Sequence, residues 1–228
     1  MGKVISIINM KGGVGKTTLC VGISDYLAEI GKKILLIDAD PQFNATQSLL
    51  DQYMSSNNDY YNSKILSKDK TIFKLFSPMV SVSATYKYPE IDDLKIPLTD
   101  TLDLICGDLR LVLSNNSNNP RFAKRIRGFI DKRDLRNKYD YIFIDCPPTL
   151  TIYTDSSLIA SDYYLKRILT ENAKIFTVKS VQGWQMNLKR TVYLSLTFSS
   201  KCMSFPFIRR CLRSLRNTRK RIRSTDTA

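Results

Sequence analysis

The sequence predicts an α/β fold: a mostly parallel sheet with helices on both faces, becoming irregular or incomplete after residue 165. Three observations predict it. Short apolar runs with the length of buried strands (4–8, 33–37 and 141–144) alternate with helix-length segments. These runs are apolar but for Ser6 and Lys33, as parallel strands covered on both faces should be. Two of them close on aspartates, Asp38 and Asp145, and sheets of this class place their chemistry at the carboxyl ends of strands. A chain of 228 residues, 43% hydrophobic and 25% charged, is long enough for one such domain with a sizeable core.

Val4 to Ile8 is the first expected strand. Thr17 to Ile30 is the first helix, and Gly31 follows it where a left-handed C-cap belongs. Lys33 to Ile37 is the second strand, leading into Asp38-Ala39-Asp40-Pro41-Gln42, and Asn44 to Leu50 starts a second helix. Residues 51–70 are rich in Ser, Asn, Asp and Lys and read as a polar surface excursion. A short amphipathic segment (Ile72, Phe73, Leu75, Phe76) comes next. Val80 to Tyr86 alternates like a strand, although alternation alone does not settle it. Leu102 to Asp108 reads as a strand with a turn, and the Asn- and Ser-rich run 114–119 as a loop. Pro120 stands where helices start, ahead of a basic amphipathic helix over 121–136. Tyr141 to Pro148 is a buried strand closing on Asp145; Ile152 to Ala160 is a helix, and Tyr163-Tyr164-Leu165 begins another strand. Strands alternating with helices imply right-handed crossovers.

The stretch Asn9-Met-Lys-Gly-Gly-Val-Gly-Lys-Thr-Thr18 organises the rest. Gly12, Gly13 and Gly15 let the backbone turn tightly with its N–H groups inward. Lys16 adds a point charge, and the Thr17 hydroxyl suits a magnesium ion. Strand before and helix after are the context that a phosphate-binding loop requires, because the anion sits on the helix N-terminus. Asp145 stands where it can hold the magnesium through water. Asp38 and Asp40 stand two residues apart where the second strand ends, and they are expected to serve different roles.

Composition excludes several alternatives. There is no histidine, so histidine catalysis and histidine metal sites are ruled out. Five scattered cysteines show no zinc or disulfide spacing, and Cys20 and Cys146 read as small buried thiols in a reducing cytoplasm. No stretch has the roughly 18 apolar residues of a membrane span, and no signal peptide heads the chain. Met1-Gly2-Lys3-Val4-Ile5-Ser6 matches the N-myristoylation pattern, but the same residues are needed for the first strand. The net charge of +14 is unevenly placed. Residues 1–165 carry 20 Lys and Arg against 19 Asp and Glu; residues 166–228 carry 15 against Glu171 and Asp226 alone.

Lys11 to Thr18 resembles the deviant Walker A motif of the ParA/MinD group of P-loop ATPases. Asp38-Ala-Asp-Pro-Gln-Phe-Asn-Ala-Thr46 resembles the second motif of ParA and Soj proteins, where Asp-x-Asp-Pro-Gln-Gly-Asn is usual. Tyr139 to Thr149 resembles their Walker B region. Phe43 for glycine and Thr149 for serine are the departures, and the Pro41-Gln42 pair favours ParA over MinD. The resemblance covers residues 1–165, the expected ATPase core, and implies a P-loop NTPase-like sheet that binds ATP and Mg2+. Residues 12–18 (Gly12, Gly13, Val14, Gly15, Lys16, Thr17 and Thr18) would hold the nucleotide; Thr17, Asp38 and Asp145 would hold the metal. Lys11 would reach the phosphates of a second subunit in an ATP-dependent homodimer, and Asp40 would orient or deprotonate the attacking water. The family's partners are nonspecific DNA and a centromere-binding ParB-like protein, in plasmid or chromosome segregation, so a cytoplasmic, nucleoid-associated protein is expected. Two other functions compete: a MinD-like membrane-surface ATPase using a short amphipathic C-terminal segment, and a truncated, inactive remnant.

After Leu165 the expected pattern stops. Lys166-Arg167 interrupts the strand, acidic residues thin to Glu171 and Asp226, and no clear βα unit follows. Residues 166–228 therefore have three readings: a basic DNA-binding extension, a diverged but folded completion of the domain, or an out-of-frame translation after a frameshift near residue 165.

Overall fold

A computed structural model of the chain describes residues 1–54, 57–76, 86–114, 122–170, 173–180 and 192–194. Its strands are β1 (Lys3–Ile8), β2 (Ile34–Asp38), β3 (Ile96–Pro97), β4 (Leu102–Ile105), β5 (Tyr141–Asp145), β6 (Tyr163–Thr170), β7 (Ala173–Ser180) and β8 (Val192–Leu194). They form one sheet in the order β3-β4-β2-β5-β1-β6-β7-β8. The central five strands, β4 through β6 in that order, are parallel, while β3, β7 and β8 pair antiparallel at the flanks. The expected doubly covered parallel sheet is therefore present.

The helices are α1 (Lys16–Glu29), α2 (Asn44–Tyr53), α3 (Asn57–Tyr60), α4 (Phe73–Phe76), α5 (Leu111–Ser114), α6 (Arg125–Lys132), α7 (Leu135–Lys138) and α8 (Ile152–Ala160). Alternate residues of each strand feed two cores. Ile34, Leu36 and Phe143 pack with Cys20, Leu27, Leu49 and Ile65 on the α1–α2 face. Leu35, Ile37, Ile142 and Ile144 pack with Phe76, Ile126, Phe129 and Tyr153 on the other. Apolar strands two-faced in sequence are thus two-faced in burial. Gly31, at φ 80°, closes α1 with its N–H on the Ala28 carbonyl, as expected of its position.

Two expectations need correction and a third needs detail. The polar stretch 51–70 does lie at the surface, with its described residues exposed or half-buried apart from Ile65, but it is largely helical. α2 runs on to Tyr53, and α3 passes into a π-turn over Tyr61–Ile65 and a 3-10 turn over Leu66–Lys68. Ile65 in the middle is fully buried, so this polar segment is anchored from within. The single helix expected over 121–136 is broken: Asp134 adopts a left-handed φ of 52° between α6 and α7. Finally, β6 does not stop at Lys166-Arg167. It continues to Thr170 and folds back antiparallel onto β7. What ends at Leu165 is the βα alternation, not the sheet. The strand expected over Val80–Tyr86 and the loop expected at 114–119 lie almost wholly outside the described residues, as does most of 166–228 beyond Ser180.

The myristoylation pattern has a packing explanation. The Gly2 N–H donates to the Arg136 carbonyl at 2.6 Å, and a Cβ built on Gly2 would lie 2.0 Å from the Tyr139 carbonyl oxygen. Glycine is required there because backbone passes too close for any side chain.

Candidate functional site

The loop between β1 and α1 carries the expected phosphate-binding residues at the carboxyl edge of the sheet. Gly13 (φ 69°) and Gly15 (φ 78°) are left-handed, a conformation that side chains disfavour by about 1–2 kcal/mol. Around Gly12 and Gly13 a built Cβ meets nothing within 4 Å, so conformation and not crowding selects glycine at 13. Gly15 is the N-cap of α1 and no side chain caps the helix. Its first N–H groups and the positive end of its dipole are thus left for an anion. Val14 is buried and anchors the loop, Lys16 and Thr17 are half-buried, and Thr18 and Lys11 are exposed. The Lys11 N–H donates to Asn9 Oδ1 at 3.2 Å.

Sheet register brings the carboxylates together. β2 and β5 pair so that Asp38 lies beside Asp145, and β1 delivers Ile7 to the other side of Asp145. Thr17 donates its hydroxyl to Asp145 Oδ2 at 2.7 Å. Asp145 is fully buried, and its Oδ1 has no hydrogen-bond partner. Burial, then the neighbouring Asp38 charge, pushes the Asp145 carboxyl well above the ordinary range, against the opposing Thr17 hydrogen bond. Asp38 is equally buried; burial pushes it up to about 7, although Thr46 donates to its Oδ2 from both N–H and hydroxyl at 2.8 Å. The Asp40 N–H donates to Asp38 Oδ1 at 3.2 Å, while Asp40 itself accepts from the Gln42 N–H at 2.9 Å. Asp38 and Asp40 therefore do face different partners.

These residues fit a magnesium–nucleotide complex. An unpartnered buried carboxylate oxygen and two carboxyls short of positive charge are what a cation would relieve. No group of three metal-ligating side chains converges among the described residues. That suits magnesium, which usually takes one or two protein groups and completes its shell with water and phosphate.

Three contributors escaped the sequence. Thr46 holds Asp38, and its hydroxyl also accepts the Gly107 N–H at 2.8 Å. Gly107, after β4, has no room for a side chain: a Cβ would sit 2.7 Å from Phe43 Cβ and 3.1 Å from Asp38 Cγ. Tyr61 donates to the Gly107 carbonyl at 2.9 Å. Thr46 lies inside the motif around Asp38, which was the available signal; nothing local marked Gly107 or Tyr61.

A family model described as an AAA domain matches residues 2–192. The chain belongs to this AAA-domain family. Within it, the matched segment is of the ParA/MinD P-loop ATPase type. It is 36% identical over 162 residues to the sporulation initiation inhibitor protein Soj of Bacillus subtilis, covering 71% of this chain and 56% of Soj. A putative plasmid partition protein from Borrelia burgdorferi, solved bound to AMPPNP, superposes with a TM-score of 0.58 at 26% identity, covering 72% of this chain and 62% of that one. The pNOB8 ParA, solved bound to nonspecific DNA, gives a TM-score of 0.52 at 30% identity, covering 73% and 54%. The chain thus spans little more than half the length of Soj and of pNOB8 ParA. The family match runs past Leu165 through β6 and β7, which agrees with a sheet that continues there.

Proposed function

We propose that the chain binds ATP with magnesium and hydrolyses it as a nucleotide-switched, ParA-like partition ATPase. The observation that carries this reading is Asp145: buried, bonded to Thr17 through one oxygen, unpartnered at the other, beside a glycine loop on an uncapped helix. Backbone N–H groups of the loop and the Lys16 ammonium bind the β- and γ-phosphates. Bound magnesium, when present, neutralises charge on those phosphates. Thr17 and Asp145 would hold it, with Asp38 beside them. Asp40 orients the attacking water and accepts its proton. Lys11 extends from the exposed side of the loop toward the phosphates of a second copy, stabilising charge as an arginine finger does. A ParB-like partner and nonspecific DNA complete the reading, supported by the partition proteins and the DNA-bound ParA among its relatives.

Magnesium-dependent phosphate release by the wild type, set against Lys16→Ala, tests the reading. Hydrolysis is expected to drop to background in the variant, and equal rates in both would end the ATPase proposal. Sizing with and without a slowly hydrolysed analogue checks the dimer. Parallel pelleting with DNA and with anionic lipid vesicles separates partition from a membrane-surface role; the expected result is ATP-dependent recovery with DNA.

A further inference from the structure

The loop that carries Asp38 and Asp40 is closed by an aromatic contact with the helical segment after α2. Phe43 stands in the left-handed region (φ 41°, ψ 37°), which glycine adopts freely and phenylalanine does not. There it serves two backbone bonds: its N–H donates to the Asp40 carbonyl at 2.9 Å, and its carbonyl accepts the Gln47 N–H at 3.0 Å, starting α2. Its ring lies flat on Tyr61, with centroids 5.1 Å apart and planes 5° from parallel. The Tyr61 hydroxyl reaches the Gly107 carbonyl, the Gly107 N–H reaches Thr46, and Thr46 holds Asp38 twice. A closed circuit therefore runs from Phe43 through Tyr61, Gly107 and Thr46 to Asp38. Burial keeps the Tyr61 phenol protonated, so it remains a donor.

We propose that Tyr61 is a positioning residue for hydrolysis, whose stacking on Phe43 holds that residue's left-handed backbone and so sets Asp38 and Asp40. Without the ring beneath it, Phe43 relaxes toward an ordinary conformation, the Asp40 turn opens, and α2 loses its first turn. A misplacement of about 1 Å at such a group costs up to roughly a hundredfold in rate. The inference rests on the ATPase reading, but its structural half does not.

The experiment is a cycle of wild type, Tyr61→Ala, Phe43→Gly and the double variant, measured two ways. Amide hydrogen exchange over residues 38–47, without nucleotide, reads the loop directly. Turnover at saturating ATP, with the dissociation constant of a fluorescent ADP analogue, reads catalysis apart from binding. Tyr61→Ala is expected to speed exchange in that segment and to lower kcat roughly tenfold, leaving ADP affinity within about twofold. In the Phe43→Gly background, where glycine takes the left-handed turn unaided, the same substitution is expected to change either readout by less than about twofold. Equal effects in both backgrounds, or no effect of Tyr61→Ala in a hydrolysing wild type, would overturn the proposal. Should Tyr61→Ala unfold the protein, Tyr61→Leu takes its place, keeping bulk without a flat ring. A wild type that neither binds nor hydrolyses ATP sinks the ATPase reading instead, and the exchange cycle then judges the clasp by itself.

Discussion

Asp145 accepts a hydrogen bond at one oxygen and nothing at the other, inside the protein and beside a second buried carboxyl. Both carboxyls are raised in the folded state, so the stability they contribute is full below the ordinary carboxylate value near 4 and is lost as pH rises through the raised values. For Asp38 that window runs from its ordinary 3.8 to about 7. Asp145→Asn keeps an acceptor for Thr17 and removes the charge, so it is expected to stabilise the nucleotide-free protein at pH 8 by roughly 1–3 kcal/mol while removing hydrolysis. Thermal melts at pH 5 and pH 8 check this; a variant melting below wild type at pH 8 contradicts it. Gly13→Ala asks a side chain to hold φ 69°, and a loss of about 1 kcal/mol with weakened nucleotide binding is expected, read by urea unfolding and by titration. That Thr17, Asp38 and Asp145 come together could be anticipated, because Thr17 follows the glycine loop and both aspartates end apolar strands, and register and hydrogen bonding do bring them side by side. Tyr61 could not be anticipated, because its role exists only through contact with Phe43 and Gly107, both remote or unusual in sequence.

The polar segment after α2 shows what composition leaves out. Asn62, Ser63, Lys64, Ser67 and Lys68 face solvent as expected, yet Ile65 is fully buried in the α1–α2 core and Tyr61 reaches the site. Ile65→Ala is expected to cost about 2–5 kcal/mol in urea unfolding, the range for a buried aliphatic truncation; a loss under about 1 kcal/mol would place the segment outside the core. Hydrophobic periodicity failed here because the π-turn and 3-10 turn shift the phase of the helix twice within eight residues. Likewise, the break at Asp134 is a left-handed residue with no sequence mark beyond aspartate's tolerance of that conformation. By contrast α8 was fully legible: Thr151 caps it through the Thr154 N–H, and its bounds match those expected. Thr151→Ala should cost about 1 kcal/mol by the same measurement.

At the scale of the molecule, five parallel strands arise from apolar runs that could be read directly, whereas the flanking antiparallel strands could not. β6 and β7 carry lysines and arginines, so they look unlike the uniformly apolar runs that mark the central strands. Charge balances in the core and accumulates after residue 165. If DNA is the partner, ATP-dependent retention should fall steeply between about 50 and 200 mM salt; retention indifferent to salt would argue against a phosphate-backbone contact. One feature of the sheet also governs how the site comes into being. Asp38 and Asp145 meet through pairing of β2 with β5, strands far apart along the chain and in parallel register. Such long-range pairing is slow and closes late. During synthesis the glycine loop and its helix leave the ribosome well before the strand bearing Asp145. The nascent chain therefore cannot assemble this carboxylate corner until β5 has slotted between β1 and β2, so under the proposed function metal-assisted nucleotide capture would reward completed folding and could not seed it.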